Sequence, residues 1–454
     1  MHQLYLAQKY NVAAPRYTSY PTMPYWDTTT FEKEKWQLSI KQSFDETNAK
    51  AGISLYIHLP FCESLCTYCG CNTRITKNHG VEEPYIKAVL KEWQMYLDTL
   101  GEMPIIRELH LGGGTPTFFS AANLQALING ILAGAIKHPN AEFGFEGHPA
   151  NTTVEHLKTL HKLGFTRLSL GIQDFDPKVQ HIINREQSYA QVFTITEQAR
   201  QIGYTSINYD LIYGLPLQTV DGLINTMNQV AGLTPDRIAF YSYAHVPWIK
   251  PGQRKFTELD LPNPELKGKL HQIGRSLLRG YGYREIGMDH FALPGDTLLL
   301  AQQQGKLHRN FMGYTNQHTQ LLIGLGVSSI GDSWYAFAQN VKTVEEYLKL
   351  VEAGELPVFK GHVLSTEDLI LRKHILNIMC KGKTAWGTNF ELSDVVLDSM
   401  LRLKPIVEDG LVELDNAGLT VTPTGVNYLR NICMALDARL WADKPTTQLF
   451  SMAI

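Results

Sequence analysis

The stretch CESLCTYCGC, residues 62–71, carries four of the six cysteines of this 454-residue chain. Three of them, Cys62, Cys66 and Cys69, follow the spacing C-x3-C-x2-C on one short loop. Three thiolates in this arrangement can ligate three corners of a cubane iron–sulfur cluster and leave the fourth iron open to bind and reduce another molecule. The spacing therefore predicts a [4Fe-4S] cluster at this loop, with Cys71 left over for a different duty.

Two other uses of these cysteines remain open. A structural zinc site usually takes four closed ligands from two C-x2-C pairs, whereas Cys380 and Cys433 stand alone in apolar helical surroundings. Disulfides are less favoured, because six cysteines in a chain of this length without an export signal indicate a reducing compartment. The cluster is the favoured interpretation.

Composition and charge narrow the class of protein. The net charge is −3 and the chain has no long basic block, so we expect neither nucleic acid nor a membrane as a partner. The sequence shows no transmembrane run, and its first residues lack the basic and apolar regions of an export signal. These features predict a cytoplasmic protein, and the length suggests about three domains.

From residue 51 onward, short β-rich runs alternate with longer helical patterns, which is typical of parallel βα units. The predicted strands are Ser54–Leu59, Glu108–Leu111, Glu142–Glu146, Arg167–Ile172, Ser206–Ile212 and Arg237–Tyr243. The predicted helices between them are Pro84–Leu100, Ala122–Ile136, Val154–Leu163, Ala190–Gln201 and Asp221–Leu233. Six such units predict an α/β fold, an incomplete (β/α)6 barrel, with its chemistry at the carboxyl ends of the strands.

Unusual residues collect at those strand ends. The cysteine loop follows the first strand, and a run of three glycines, residues 112–114, follows the second, where bare backbone amides can approach a ligand. Glu146, Gln173 and Asp210 end later strands, and Arg185 follows the fourth. Each alone fits a structural hydrogen bond or a turn as well as a function, but their placement at one mouth favours function.

Several segments together resemble one family. They are PRYTSYPT at 15–22, YIHLPF at 56–61, GCN at 70–72, GIQDF at 171–175, NRE at 184–186, DLIYGLP at 210–216 and HRNFMGYT at 308–315. With the cysteine loop, they make the chain similar to the oxygen-independent coproporphyrinogen III oxidases, a family of the radical S-adenosylmethionine (SAM) superfamily. The match runs nearly from end to end.

The resemblance implies a function and its cofactors. It implies a [4Fe-4S] cluster whose open iron chelates one SAM, reductive cleavage of that SAM to a 5′-deoxyadenosyl radical, and a second bound SAM. The implied substrate is coproporphyrinogen III, whose ring A and B propionates become vinyl groups. An electron donor and an electron acceptor, both unidentified, are further implied partners, and the family suggests a monomer.

The resemblance also implies roles for individual residues. The expected cluster ligands are Cys62, Cys66 and Cys69. Expected contacts to the cluster-bound SAM are Tyr56, Tyr68, Gly113, Glu146 and Ile330. Expected contacts to the second SAM are Gly114, Thr115, Gln173, Arg185, Asp210 and Ala244. Before the proline that follows Glu146 the family often has an acidic residue, whereas this chain has His148. His148 is either a substitute contact or without function.

Two residues near the loop have open roles. His58 lies one alternation from Tyr56 on the first strand and faces the same side, so it either orders the mouth, moves a proton or is a hydrogen-bonded interior histidine. Cys71 is not needed as a ligand when SAM closes the cluster. A catalytic role near the second SAM or the substrate is the favoured interpretation over a passive thiol.

The two ends of the chain have different character. The first fifty residues show no clear period but are rich in Tyr, Thr and Pro, which indicates an arm that wraps the surface or covers the active site. Candidate substrate contacts, with ordinary surface or interdomain pairing as the alternative, are Arg16, Tyr20, His308, Arg309 and Asn310. We expect the arm at 1–50, the catalytic barrel with a substrate-side extension at 51–360 and a helical domain at 361–454.

The C-terminal domain is predicted to resemble a winged helix. Ser365 caps a helix over Leu369–Met379, and a turn at 415–418 joins two short strands. DNA binding is not expected, because residues 361–454 hold nine Lys and Arg against eleven Asp and Glu. A lid or packing role over the barrel is expected instead.

Two alternative functions come from other classes. A haem-binding chaperone relative would keep the cluster motif but lack Cys71 and the aromatic segment at 16–21. Another radical SAM enzyme of tetrapyrroles, such as a haem-degrading methyltransferase, is disfavoured by the segments 15–22 and 308–315.

Overall fold

The computed structural model describes residues 2–386, 394–445, 447 and 449–453. Its centre is a twelve-stranded sheet. The strands are β1 (Ile53–Leu59), β2 (Ile105–Gly113), β3 (Ile136–Gly147), β4 (Phe165–Gln173), β5 (Ser206–Tyr213), β6 (Arg237–Ser242), β7 (Arg284–Ile286), β8 (His290–Ala292), β9 (Leu321–Leu325), β10 (Ile330–Asp332), β11 (Ala336–Asn340) and β12 (Val358–Val363). Their order is β12-β11-β10-β9-β1-β2-β3-β4-β5-β6-β8-β7.

Strands β1 to β6 are neighbours in chain order and pair in parallel, so the six predicted βα units are confirmed. The helices are α1 (His2–Tyr10), α2 (Lys33–Ala51), α3 (Glu82–Leu100), α4 (Ala121–Ala133), α5 (Val154–Lys162), α6 (Pro177–Ile182), α7 (Tyr189–Ile202), α8 (Val220–Leu233), α9 (Pro264–Gly280), α10 (Thr297–Gln303), α11 (Val344–Glu352), α12 (Thr366–Lys381), α13 (Asp394–Glu408), α14 (Leu429–Leu436) and α15 (Ala438–Ala442). Buried apolar side chains of α3, α4, α5, α7 and α8 join those of the strands in one core.

Two predictions about element boundaries are wrong. The helix expected to run to Ile136 ends at Ala133, because Gly134 interrupts it and Ile136 already pairs with Ile105 in β2. The first fifty residues are not irregular throughout, because α2 occupies Lys33–Ala51 and buries one stripe against the sheet. That stripe, at spacing of three and four, comprises Trp36, Ser39, Ile40, Ser43 and Phe44.

The amino half of the barrel interior is filled by paired polar side chains. The Glu108 carboxylate accepts hydrogen bonds from the hydroxyls of Ser54, at 2.9 Å, and Thr315, at 2.7 Å. Arg167 on β4 pairs with Glu142 on β3. Arg237 at the start of β6 pairs with Asp296 at 2.8 Å. We call this group of residues the floor. Each of its three carboxylates, those of Glu108, Glu142 and Asp296, has a partner within the protein.

The C-terminal part contains the predicted helix and hairpin. Ser365 and Asp368 form a capping box at the start of α12. Strands Val412–Leu414 and Gly418–Val421 pair antiparallel, and Lys383–Ala385 adds a third strand. A separate ribbon, His308–Asn310 with Gly313–Thr315, carries a predicted substrate segment. Within the described ranges, no helix has both the length and the apolar character needed to cross a membrane.

Candidate active site at the carboxyl ends of the strands

The cysteine loop leaves the carboxyl end of β1 and is fastened to the end of β2. The Thr115 hydroxyl lies 3.3 Å from the Cys62 sulfur, and the backbone N–H of Thr115 donates to the carbonyl of Phe61 at 3.0 Å. The N–H of Gly114 donates to the carbonyl of Leu59 at 2.9 Å. All four thiols of the loop are free, so the end of β2 braces a loop that presents unbridged sulfur.

The sulfurs of this loop have different electrostatic environments. Hydrogen bonds from Cys71 lower the pKa of Cys69 to about 6, and the charges of Lys250 and Arg185 act in the same direction. Burial raises the pKa of Cys62 to about 11. The pKa of Cys71 is raised, chiefly because its thiol donates a hydrogen bond to Cys69. Of the cysteines whose pKa is shifted, Cys69 is thus the one whose surroundings favour the thiolate.

Arg185 points its guanidinium at the loop. Its Nη1 lies 3.6 Å from the Cys66 sulfur, while Nε and Nη2 donate to the carbonyl of Gly171 at 3.0 and 2.7 Å. A Cβ at Gly171 would lie 2.7 Å from Nη2 of Arg185, so a side chain there would displace the guanidinium. Within the described ranges Arg185 pairs with no carboxylate, so its charge is available to an anionic ligand.

Glycines at the end of β2 let side chains from neighbouring strands meet across it. A Cβ at Gly112 would lie 2.9 Å from the Tyr56 ring, and one at Gly113 would lie 2.8 Å from the His58 ring. The Tyr56 hydroxyl is 3.1 Å from Nδ1 of His58. Glu146 accepts from the N–H of Gly113 at 3.3 Å. These five residues therefore form one contiguous wall.

His58 is engaged on both ring nitrogens. Besides Tyr56, its Nε2 lies 2.8 Å from the carbonyl of Asn72, directly after the cysteine loop. Burial lowers the pKa of His58, so the ring is neutral at pH 7. The geometry fits a histidine that orders the mouth of the barrel.

Asp210 and Gln173 lie on the opposite wall. Asp210 accepts from Asn208 at 3.0 Å and from Ser169 at 3.1 Å, and burial, with the charge of Glu146, raises its pKa to about 6. Gln173 has φ of 66°, a left-handed conformation uncommon for a residue with a side chain. Such strain is concentrated at functional sites.

The remaining predicted cofactor contacts lie at the rim. Tyr68 is half-buried within the cysteine loop, and its carbonyl and that of Ala244 both accept from the Gln253 amide, at 3.2 and 3.3 Å. Ile330 begins β10, and its backbone packs against Gly324, which pairs with Tyr56. These contacts place Tyr68 and Ala244 against the same amide, and Ile330 beside the partner strand of Tyr56.

His148 follows Glu146 but is turned into its own loop. Its Nδ1 accepts from the N–H of Ala150 at 3.1 Å, and burial, with the nearby charge of Arg185, lowers its pKa to about 3. A neutral, hydrogen-bonded ring fits the stabilisation of the turn after β3.

The predicted substrate residues come together at the edge of β6. Arg16 pairs with Asp289 at 2.9 Å and lies over the Tyr241 ring, 5.4 Å from its centroid. Arg309 is buried, stacks on Tyr314, and donates from Nη2 to the carbonyl of Arg16 at 3.4 Å. Nε and Nη1 of Arg309 have no hydrogen-bond partner. An incompletely paired buried guanidinium is costly unless a ligand completes it.

The other three candidates differ from Arg309. Tyr20 is buried and its hydroxyl also lacks a partner. His308 stacks with His318 and burial lowers its pKa to about 3, whereas Asn310 uses its side-chain oxygen to accept from the N–H of Met312 at 2.9 Å. Of this ribbon, Arg309 alone presents a charge.

Comparison with known proteins identifies the family of this chain. The model of the radical SAM superfamily matches residues 56–230. The oxygen-independent coproporphyrinogen III oxidase of Synechocystis sp. is 38% identical over 99% of this chain and 97% of its own. That of Escherichia coli (strain K12) is 38% identical over 99% of this chain and 98% of its own.

The solved structure of coproporphyrinogen III oxidase from Escherichia coli, described as a radical SAM enzyme, superposes with a TM-score of 0.88 at 37% identity, covering 94% of this chain and 98% of that one. The chain belongs to the oxygen-independent coproporphyrinogen III oxidases. The predicted family and its radical SAM α/β fold are confirmed. So are the cofactors that membership brings, a [4Fe-4S] cluster and SAM.

Sequence reasoning missed several residues of this oxidase site. His110 stacks on Tyr56 and lies 3.5 Å from the Glu146 carboxylate. It stands two residues before Gly112 on β2, so alternation from the glycine run is the signal that would have found it. Lys250 donates to the carbonyl of Cys71 at 3.0 Å from 179 residues away, and no local pattern reveals that contact.

Proposed function

We propose that this protein carries out the oxygen-independent decarboxylation of the ring A and B propionates of coproporphyrinogen III, giving protoporphyrinogen IX for haem biosynthesis. The observation that carries the proposal is the free three-thiol loop, held by the ends of β1 and β2 at the barrel mouth, with the Arg185 guanidinium 3.6 Å from Cys66.

The donor set suits a cubane cluster bound by Cys62, Cys66 and Cys69. Among the residues that the structure describes, no group of three or more Cys, His, Asp or Glu side chains is placed to hold a single metal ion. Thiolates around one zinc ion would stand ~3.8 Å apart, whereas each cysteine of a cubane cluster takes a different iron. The three thiols are close enough to influence one another's charge, and Arg185 offsets the negative charge of thiolates.

When bound, the reduced cluster and SAM supply a 5′-deoxyadenosyl radical, which removes a hydrogen atom from the β carbon of a propionate. The propionate then loses carbon dioxide and one electron to an acceptor, and a vinyl group remains. The protein's residues hold and shield the reactants. We assign the wall of Tyr56, Gly113 and Glu146, with Tyr68 and Ile330 at its rim, to the cluster-bound SAM.

We assign a second SAM to the opposite side of the mouth. Arg185 suits its carboxylate, because a guanidinium can pair with both oxygens. Asp210 suits an amine or a ribose hydroxyl, and Asn208 and Ser169 already fix the orientation of its carboxylate. The remaining contacts assigned to this SAM are Gly114, Thr115, Gln173 and Ala244.

The substrate carries four propionates, and Arg309 is the residue best suited to one of them. It is buried, and two of its N–H groups lack partners that a carboxylate can supply. A carboxylate held by a guanidinium is stabilised as an anion, which opposes its loss as carbon dioxide. We therefore assign Arg309, with Arg16 and Tyr20 beside it, to a propionate that the substrate keeps. His308 and Asn310 shape this pocket.

Cys71 is assigned to catalysis rather than to cluster binding. Replacing Cys71 by Ser should leave the iron content and the visible absorbance of the reconstituted protein unchanged but lower turnover about a hundredfold, a typical loss for a group that acts on the reacting atoms. Loss of the cluster would show that Cys71 is a ligand. His58 is assigned to order the mouth through Tyr56 and Asn72.

Direct conversion tests the proposal. Protein purified without oxygen and reconstituted with iron and sulfide is given coproporphyrinogen III, SAM, a reductant and an electron acceptor, and the tetrapyrrole mass is followed. Loss of two carboxyl groups as carbon dioxide is expected. Haem binding with unchanged substrate would instead indicate the chaperone function. We further propose a cytoplasmic monomer with an arm at 1–50, a barrel at 51–360 and a helical domain at 361–454.

A further inference from the structure

An apolar patch lies on the outer side of the cysteine loop. Its members are Leu65, Trp248 and Ile249, whose exposed fractions are 42%, 51% and 56%. We call these three residues the Trp248 patch. Exposed aromatic and aliphatic side chains that gather next to a functional loop are typical of protein contact surfaces.

The patch is joined directly to the loop. The Leu65 side chain packs on Gly252, where a Cβ would lie 3.1 Å from Cδ2. Lys250 donates to the carbonyl of Cys71 at 3.0 Å, and Gln253 donates to that of Tyr68 at 3.2 Å. The segment that carries Trp248 therefore touches the loop before and after its last predicted cluster ligand.

The segment is anchored rather than loose. Gln253 is 1% exposed and Phe256 is 5% exposed, and Phe256 packs in a small core with Tyr243. The patch is thus presented on a fixed surface, which lowers the entropy cost of binding a partner.

A basic rim borders the patch. It consists of Lys250, Arg254 and Lys255, and none of the three forms an ion pair within the described part of the chain. Residues 250–255 contain no acidic residue, and the nearest exposed acids are Glu258 downstream and Glu63 on the loop. The three cations of the rim therefore outnumber these two carboxylates. Unpaired cations around an apolar centre are complementary to an acidic partner.

We propose that the Trp248 patch and its basic rim form the docking surface for a small acidic protein that carries single electrons. This inference rests on the proposed function, which requires one electron from outside for each SAM that is cleaved. The carrier is oxidised by one electron and the cluster is reduced by one. Residues 63–65, Gly70 and Cys71 of the loop are exposed. Because Cys71 is assigned to catalysis and residues 63–65 adjoin the patch through Leu65, we assign residues 63–65 to the side that meets the donor.

The test compares two kinds of reductant. Turnover of the reconstituted full chain is driven either by dithionite, a small ion that needs no docking, or by a reduced acidic carrier, with a flavodoxin and a [2Fe-2S] ferredoxin as the two probes. Trp248→Ala and Lys255→Glu should each raise the KM for the effective carrier about tenfold. Dithionite-driven turnover should stay within about twofold, because both residues lie outside the barrel mouth.

A binding measurement complements the kinetics. Calorimetry at low salt should show the same tenfold weakening of carrier binding, and the salt dependence of the Lys255→Glu variant should be flatter than that of the native protein. The matched control is Lys87→Glu, whose side chain is 79% exposed on α3, and it should change neither quantity.

Three results would overturn the inference. If the variants lost turnover equally with dithionite and with the carrier, the patch would act in the reaction itself. If Lys87→Glu weakened carrier binding as much as Lys255→Glu, the effect would come from overall charge rather than from a docking surface. Self-association that Trp248→Ala abolishes would make the occupant a second copy of this chain. Absence of dithionite-driven turnover in the native protein would contradict the proposed function, whereas turnover with dithionite but with neither carrier would contradict only the docking surface.

Discussion

The charged side chains at the floor of the barrel and those at its mouth differ in the partners that the protein gives them. At the floor, Glu108, Glu142 and Asp296 each meet a hydroxyl or a guanidinium from the protein. At the mouth, Arg185 points at a sulfur and pairs with no described carboxylate. What distinguishes the mouth is that no described carboxylate neutralises the charge of Arg185, which fits a role in binding an anionic ligand.

The largest expected effect breaks the mouth. Replacing Cys62 by Ser removes one of the three proposed cluster ligands, and turnover should fall to background because no open iron is then held for SAM. Iron content and visible absorbance after reconstitution measure the loss. The matched control is Cys433→Ser, a buried thiol far from the loop in sequence, which should keep the iron. Equal iron loss in both variants would contradict the ligand assignment.

The second prediction breaks the floor. Replacing Arg167 by Met leaves the Glu142 carboxylate buried without its cation, which should lower the free energy of unfolding by about 3–5 kcal/mol. Urea unfolding measures this change. Lys33→Met removes an exposed pair with Glu355 and should cost below about 1 kcal/mol. If the Arg167 variant were stable and catalytically dead, the floor would belong to the active site.

A third prediction compares two buried arginines. Arg309→Met should raise the KM for coproporphyrinogen III about tenfold with little change in Tm, because its unpaired N–H groups await a carboxylate. Arg372 is paired with Asp332 at 2.6 Å, so Arg372→Met should lower Tm and leave KM unchanged. With the native protein, a substrate whose retained propionates are methyl esters should have a higher KM than coproporphyrinogen III. The two KM values should become similar in the Arg309→Met variant and stay different in the Arg372→Met variant.

The smallest effect concerns pH at the mouth. The pKa of Asp210 is raised to about 6 from its ordinary value of 3.8, so the folded protein binds a proton that the unfolded chain has lost between these values. The stabilising effect of that proton is lost as pH rises through about 6, while the ionised carboxylate that we propose accepts from the second SAM forms over the same range. The KM for SAM should therefore fall as pH rises through 6.

Asp210→Asn should remove this pH dependence. The free energy of unfolding should then no longer decline by about 3 kcal/mol between pH 4 and 6 relative to the native protein. An unchanged profile in the variant would show that Asp210 is not the group that titrates.

The six parallel strands could be predicted because apolar runs and helical periods alternate regularly along residues 51–243. Helix α2 could not be predicted with the same ease, although Trp36, Ile40 and Phe44 repeat at helical spacing. Most of its other residues are polar, and the run before it, rich in Tyr and Pro, has no helical pattern. The strands that extend the sheet, β9 to β12, are short and pair with one another in chain order, but they join the sheet through β9 and β1, which are far apart in sequence.

The residues of the site also divide into those that the sequence predicts and those that it does not. Glu146, next to the end of β3, could be predicted because parallel strands bring their carboxyl ends together. Asp210 was predicted to end β5 but lies inside that strand, three residues before Tyr213. The unpaired state of Arg309 could not, since it depends on what packs around the ribbon rather than on the ribbon's own sequence. The Lys250 contact to the cysteine loop depends in the same way on the packing of a distant segment.

The central claim is that the mouth is built to remove hydrogen from a propionate. Coproporphyrinogen III deuterated at the propionate β carbons tests this claim directly, with the mass of the 5′-deoxyadenosine formed under anaerobic turnover as the measurement. The account predicts one deuterium in each 5′-deoxyadenosine released and two vinyl groups in the product. Unlabelled 5′-deoxyadenosine beside unchanged substrate would contradict it.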